Sequence, residues 1–159
     1  MTRGGRAIRF RLLAIGRQRS GPLKDLQQLY AARIVPPPMI IELEEKRSLA
    51  PEQLKSREGE LIIGALPSRI PFIALDERGT EWSSRELAER IAAWRNQGGS
   101  ELVFAIGGAD GLHRAVLDRA DVILSLGSMT WPHLLVRGML LEQIYRAEQI
   151  LAGHPYHRK

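Results

Sequence analysis

Five short apolar runs, each separated from the next by a stretch of helical length, leave this chain few folds to choose from. The runs are IRFRLLAIG from Ile8, MIIELEE from Met39, RIPFIALD from Arg69, ELVFAIGG from Glu101 and DVILSLG from Asp121. In the first, Ile8, Phe10 and Leu12 alternate with Arg9 and Arg11 before LLAIG turns wholly apolar. That pattern predicts a strand buried on one face at its start and on both faces at its end. Between the runs, Gly21-Pro22 opens a helix over Leu23 to Arg33, closed by Pro36 to Pro38. Ala50-Pro51 starts a helix to Ala65, with Leu54, Leu61 and Ile62 as inner positions. Ser83, Ser84 and Glu86 form a capped helix start; that helix reaches Asn96 and stops at Gly98-Gly99. Asp76 to Gly79 reads as a turn ending the third strand. A short helix covers Leu112 to Arg119, and the last runs from Pro132 to Leu151. Strands alternating with helices at these lengths predict an α/β fold, a mainly parallel sheet flanked by helices.

At 159 residues one domain is expected, and 44% hydrophobic with 26% charged residues is an ordinary globular composition. The chain has no cysteine. That excludes a disulfide framework and a thiolate nucleophile, and it suits the cytoplasm. Apolar runs such as Leu102 to Ile106 are too short to span a membrane as a helix. The net charge of +5 is unevenly placed. Arg3, Arg6, Arg9, Arg11, Arg17 and Arg19 occupy the first 21 positions beside no acid, whereas the other 17 basic residues face 18 acidic ones. A one-sided basic segment favours a polyanion such as RNA, or else forms a solvated tail.

Three segments fall at carboxyl ends of predicted strands, where open α/β sheets gather ligands. They are Leu75-Asp76, Gly107-Gly108 and Leu126 to Trp131. The two glycines let backbone approach a ligand closely, or simply form a tight turn. IGGADGLH has neither dinucleotide-binding nor Walker spacing. LGSMTW precedes Pro132, which suits a first helical turn, and offers backbone polar groups with Leu126, Met129 and Trp131 as apolar walls. In the last helix a broad stripe of Val136, Leu140, Ile144, Ala147 and Leu151, widened by Leu134, Leu141 and Tyr145, predicts burial against the sheet and a second subunit. Gly138 interrupts it, which close packing of another backbone would explain. His133 and Arg137 are four apart on one face, placed to meet a phosphate or to form a solvated polar face. The tail GHPYHRK gathers His154, Tyr156, His157, Arg158 and Lys159, groups that bind phosphate, stack on a base or move a proton. No third ligand accompanies its two histidines, so no metal site is expected. There is no G-x-S-x-G elbow and no poised carboxylate pair, which favours transfer from a reactive cofactor over hydrolysis.

In order and spacing, FIALDERG, LVFAIGGADGLH and LSLGSMTWPHLLVRGMLLEQIYRAEQILAGHPYHRK resemble the ribosomal RNA large-subunit methyltransferase H family of the SPOUT superfamily. The early LLAIG strand and KSREGE are also similar, so the resemblance spans Ile8 onward. It divides the chain into a basic extension over residues 1–7 and a methyltransferase domain over 8–159. It implies a single-domain SPOUT fold with a carboxy-terminal trefoil knot, against the usual rarity of knots. It further implies a homodimer that methylates N3 of a pseudouridine in helix 69 of 23S rRNA from S-adenosylmethionine, with neither DNA nor membrane as partner. The implied cofactor site is Leu75, Gly107, Leu126, Gly127, Ser128, Met129, Thr130 and Trp131. The implied catalytic cluster is His133, Arg137, Tyr156, His157 and Arg158. His133 and His157 are candidate bases for the N3 proton, Arg137 and Arg158 favour an anionic target, and Tyr156 stacks on it or closes the pocket. The tail, following the presumed interface helix, is placed to complete the partner's site. Two other readings compete: a non-enzymatic RNA- or ribosome-binding module, which would not bind the methyl donor, and a nucleotide-binding enzyme of another class.

Overall fold

A computed structural model describes residues 7–158. Arg3, Arg6 and Lys159 lie outside them, and with them most of the predicted basic extension. Among the described residues, five strands and five helices alternate: β1 (Arg9–Ile15), α1 (Pro22–Ala31), β2 (Met39–Leu43), α2 (Pro51–Ala65), β3 (Phe72–Glu81), α3 (Ser84–Asn96), β4 (Glu101–Ile106), α4 (Arg114–Arg119), β5 (Val122–Ser125) and α5 (His133–Leu151). All pairings are parallel, in the order β2-β1-β4-β3-β5. A parallel sheet must be covered on both faces. Strand alternation supplies two faces. Phe10, Leu12, Ala14, Ile73 and Phe104 join a core with α1, α3 and α5. Leu13, Ile15, Phe72, Ala74 and Val103 join another with α2 and α4. Among the described residues no helix is long and apolar enough to cross a membrane.

The predicted elements occur in the predicted order, with informative departures. The α3 start is a full capping box: Ser83 Oγ accepts the Glu86 N–H at 3.0 Å, and Glu86 Oε2 accepts the Ser83 N–H at 2.6 Å. In the broad stripe of α5, which packs between α1 and α3, Leu140, Leu141, Ile144 and Ala147 are buried within the chain and Leu134, Val136, Tyr145 and Leu151 are half-buried. Gly138 does not meet a second backbone as expected. A Cβ there would lie 2.8 Å from Cγ and Cδ2 of Leu26, so a side chain of α1 explains the glycine.

The turn expected at Asp76 to Gly79 is also corrected. β3 does not end there but bulges between Leu75 and Thr80 and resumes its pairing with β5, Thr80 against Leu124 and Glu81 against Ser125. Gly79 makes this possible, since a Cβ would lie 2.5 Å from the Ile123 carbonyl oxygen. Glycine inside a strand commonly marks such a backbone approach. Gly79→Ala is therefore expected to lower unfolding free energy by about 1–3 kcal/mol, as overpacking does. Urea denaturation measures it, and an unchanged midpoint would contradict the packing described.

Candidate active site

The carboxyl ends of β3, β4 and β5 open together around a cavity of about 430 Å³. Leu75 comes from β3, Gly107 follows β4, and Leu126, Gly127, Met129, Thr130 and Trp131 follow β5. The structure thus gathers seven of the eight residues assigned to the cofactor. Ser128 is exposed and does not line the cavity. The role of Gly107 is sharper than close approach to a ligand. A Cβ there would lie 2.6 Å from the Gly111 carbonyl carbon, so the tight turn itself needs the glycine.

The loop after β5 is held at both ends by the β3 bulge. Ser125, 3% exposed, places its hydroxyl 3.0 Å from the Glu77 carbonyl and 2.8 Å from that of Gly127, and it accepts the Gly127 N–H at 3.1 Å. Thr130 donates to the Glu77 carboxylate at 2.7 Å. Gly127 has φ +118°, a conformation open chiefly to glycine. Met129 and Trp131 stand 72% and 40% exposed at the cavity, apolar surface without cover. At the rim are Lys55, Asp76, Arg78 and Asp110. Burial pushes the Asp76 carboxyl up, but hydrogen bonds from Arg78 outweigh it and hold the group below its usual range. A cavity with apolar walls from Leu75, Ile106, Met129 and Trp131, backbone polar groups and a charged rim, within the size range of small-molecule sites, fits an adenosyl amino acid such as S-adenosylmethionine. Neither Ser125 nor Glu77 was singled out by the sequence. A strand's last serine and a glutamate inside an apparent turn carry no local signal.

His133 opens α5 and lines the same cavity. Burial, and then the positive charge of Arg137, push its imidazole below the ordinary value of 6.5. Arg137 itself faces inward and is 0% exposed, which corrects the expectation that it meets a phosphate beside His133. Its Nη1 donates to Glu42 Oε2 at 2.6 Å, and its Nη2 donates to the carbonyls of Ile15 at 3.1 Å and Gly16 at 2.6 Å. Glu42 Oε2 also accepts the Gln18 N–H at 2.7 Å, and Gln18 Nε2 donates to the Leu134 carbonyl at 3.2 Å. Burial raises the Glu42 carboxyl, but these donors prevail and keep it below its usual range. The first turn of α5 is thereby fastened to the carboxyl ends of β1 and β2. Glu42 is not among the residues that the resemblance assigns to the site. Its one available signal was a carboxylate inside the apolar MIIEL run.

The tail lies elsewhere. Gly153, with φ +71°, ends α5 and turns the chain back along it. Tyr156 donates to Glu142 Oε1 at 3.0 Å and sets its ring edge-on to Tyr145, centroids 4.8 Å apart. The Arg146 guanidinium covers the Tyr156 ring at 4.9 Å, pairs with Glu142 and approaches His157 Nδ1 at 3.2 Å. Burial, reinforced by the bond to Glu142, pushes the Tyr156 hydroxyl up to about 12, so it is a donor at neutral pH. Arg158 is exposed. Glu142 is nine residues along α5 from His133, a rise of ~13 Å. Within one chain Tyr156, His157 and Arg158 are therefore not brought to His133.

The Arg137–Glu42 pair predicts an asymmetry. Glu42 is 35% exposed at its side chain, so water can accept it when Arg137 is removed. Arg137 is 0% exposed and is stranded when Glu42 is removed. Glu42→Ala is expected to cost about 3 kcal/mol, as an uncompensated buried charge does, and Arg137→Met clearly less. Urea denaturation of both variants checks it; an equal or reversed order would contradict the geometry.

A family model described as "Predicted SPOUT methyltransferase" matches residues 8–157. The chain is 50% identical over 151 residues to the ribosomal RNA large subunit methyltransferase H of Paramagnetospirillum magneticum, covering 95% of this chain and 99% of that protein. The protein of the same name from Rhodospirillum centenum is also 50% identical, with the same coverage. Among solved structures, a probable methylase family protein from Haemophilus influenzae shares the fold, with a TM-score of 0.59 at 14% identity over 94% of this chain and 70% of that one. The chain belongs to the ribosomal RNA large subunit methyltransferase H family, among the SPOUT methyltransferases.

Proposed function

We propose that this protein methylates N3 of a pseudouridine in helix 69 of 23S rRNA on the assembled ribosome, working in the cytoplasm as a homodimer with S-adenosylmethionine as donor. The observation that carries this reading is a cavity at three strand ends with a histidine held below its ordinary pKa on its wall. Leu75, Gly107 and the loop from Leu126 to Trp131 would hold the cofactor, with Ser128 part of the loop but outside the cavity lining. When bound, it supplies a methyl group already activated on a sulfonium. The protein's own work is then to align the base and manage its N3 proton. His133, neutral near pH 7, accepts that proton. Arg137 acts through position and charge, fixing the first turn of α5 and keeping His133 unprotonated. Tyr156, His157 and Arg158 complete the site across the dimer. Their distance from His133 within one chain supports this, as does a second cavity of about 590 Å³ where α1, α3 and α5 meet. The trefoil knot belongs to the same reading. Its support is the chain's passage from edge strand β5, past the β3 bulge, to the ends of β1 and β2.

Labelled methyl transfer onto assembled ribosomes, free large subunits and naked rRNA from a strain lacking this gene tests the activity. Label at the helix 69 pseudouridine is expected. No label in any substrate would sink the proposal, and label at another nucleotide would discard the target. The sign of the pH response follows from His133. Its folded-state pKa is depressed, so between that value and 6.5 the unfolded chain binds more protons and the fold loses stability as pH falls. The rate should fall in the same window, below 6.5 rather than at it. In His133→Gln both the acid limb of the rate profile and this part of the stability slope should vanish. An unaltered acid limb would remove His133 as the base.

Mixed dimers test the tail. One subunit carries Trp131→Ala and the other His157→Ala. Sharing across the dimer leaves one intact site, so activity should return relative to either parent dimer. Recovery of none would place the tail's action within its own chain.

A further inference from the structure

We propose that Arg17 and Arg19 form a phosphate-binding lip at which the RNA backbone is held beside His133; this rests on the reading of the chain as an RNA methyltransferase. The six arginines of the basic amino-terminal segment do not act as one patch. Arg3 and Arg6 lie outside the described residues. Arg9 begins β1, at the end of the sheet opposite the cavity. Arg11 is paired with Glu101 on the neighbouring strand β4. Arg17 and Arg19 remain, both exposed, in the connection that leaves the carboxyl end of β1.

That connection is fixed rather than loose. Gln18, between the two arginines, is 4% exposed and is bonded to Glu42 and to the Leu134 carbonyl. Gly16 donates to the Leu43 carbonyl at 2.8 Å and accepts from Arg137. A Cβ on Gly16 would lie 3.7 Å from His133 Nε2, so this backbone borders the imidazole. With Gln18 anchored inward, the residues on either side are presented to solvent next to the backbone that borders His133. Neither arginine has an acidic partner within 4.0 Å among the described residues, and the one carboxylate bonded into the connection, Glu42, is already committed to Arg137. Lys24 adds positive charge near Glu42. The far rim holds Asp76, Glu77, Asp110 and Lys55, with Arg78 tied to Asp76. The backbone bordering His133 therefore carries two exposed guanidiniums, whereas the opposite rim mixes three carboxylates with two basic groups. A polyanion enters over the cationic side, and a guanidinium suits bidentate phosphate contact.

The test compares Arg17→Gln/Arg19→Gln with Arg9→Gln/Arg119→Gln, which removes equal charge at exposed positions away from the cavity. Binding to large ribosomal subunits is followed across a salt titration, and S-adenosylmethionine binding by calorimetry. Loss of two phosphate contacts should weaken RNA binding about tenfold and reduce the slope of log affinity against log salt by about 1.5, with cofactor affinity unchanged. Arg17→Lys/Arg19→Lys should restore most of the slope. Equal weakening by both glutamine pairs, or an unchanged slope in the first, would overturn the proposal, as would wild-type binding without salt dependence. If these binding results hold but wild type transfers no methyl group, the enzymatic reading fails and the lip stands.

Discussion

One buried guanidinium sets the geometry on which the site depends. Arg137 is 0% exposed and sits where β1 and β2 end and α5 begins. It meets the Glu42 carboxylate and the carbonyls of Ile15 and Gly16 at once, so α5 has little freedom to slide or rotate at its first turn. An ion pair of this kind is weak evidence for stability, because desolvation offsets its attraction, but it specifies position. What it positions here is His133, one helical turn earlier, and the loop from Leu126 to Trp131 that leads into the helix. Burial, and after it the same charge, lowers the imidazole pKa. A single residue thus links the sheet, the helix, the loop and the protonation state of the candidate base.

The second constraint lies across the cavity. β3 reaches β5 twice, before and after its bulge, and the excursion between carries Glu77. Through its carbonyl and its carboxylate Glu77 holds Ser125 and Thr130. That loop is therefore held by β3 at Ser125 and at Thr130, and the helix it leads into is held by Arg137. A loop with exposed Met129 and Trp131 would otherwise be expected to collapse onto them.

The fold was legible in the sequence because local signals agreed. The Ser83–Glu86 cap, the alternation of Ile8, Phe10 and Leu12 against arginines, and the wholly apolar LVFAI run each pointed to one element. Where the reading failed, the deciding contact was distant in sequence. Asp76 to Gly79 has turn composition, and only Ile123, 44 positions after Gly79, reveals that the glycine serves a bulge. His133 and Arg137 share a helix face by spacing. Spacing cannot show that Glu42, 95 positions away, draws Arg137 inward. The segments that line the cavity were legible because strand ends in an α/β sheet are predictable places. Their supports, Ser125, Glu77, Gln18 and Glu42, act through tertiary hydrogen bonds and leave no pattern along the chain.

Two cavities share the wall formed by Leu124, Leu126 and Gly127, and the central claim is that the methyl donor occupies the one bordered by His133. Backbone amide shifts of the isotopically labelled protein, followed while S-adenosylmethionine is added, test this most directly. The account predicts that the largest changes fall on residues 75–78, 107–112 and 126–133. Changes centred instead on Leu26, Trp82 and Met139 in the second cavity, or no saturable change at all, would contradict it.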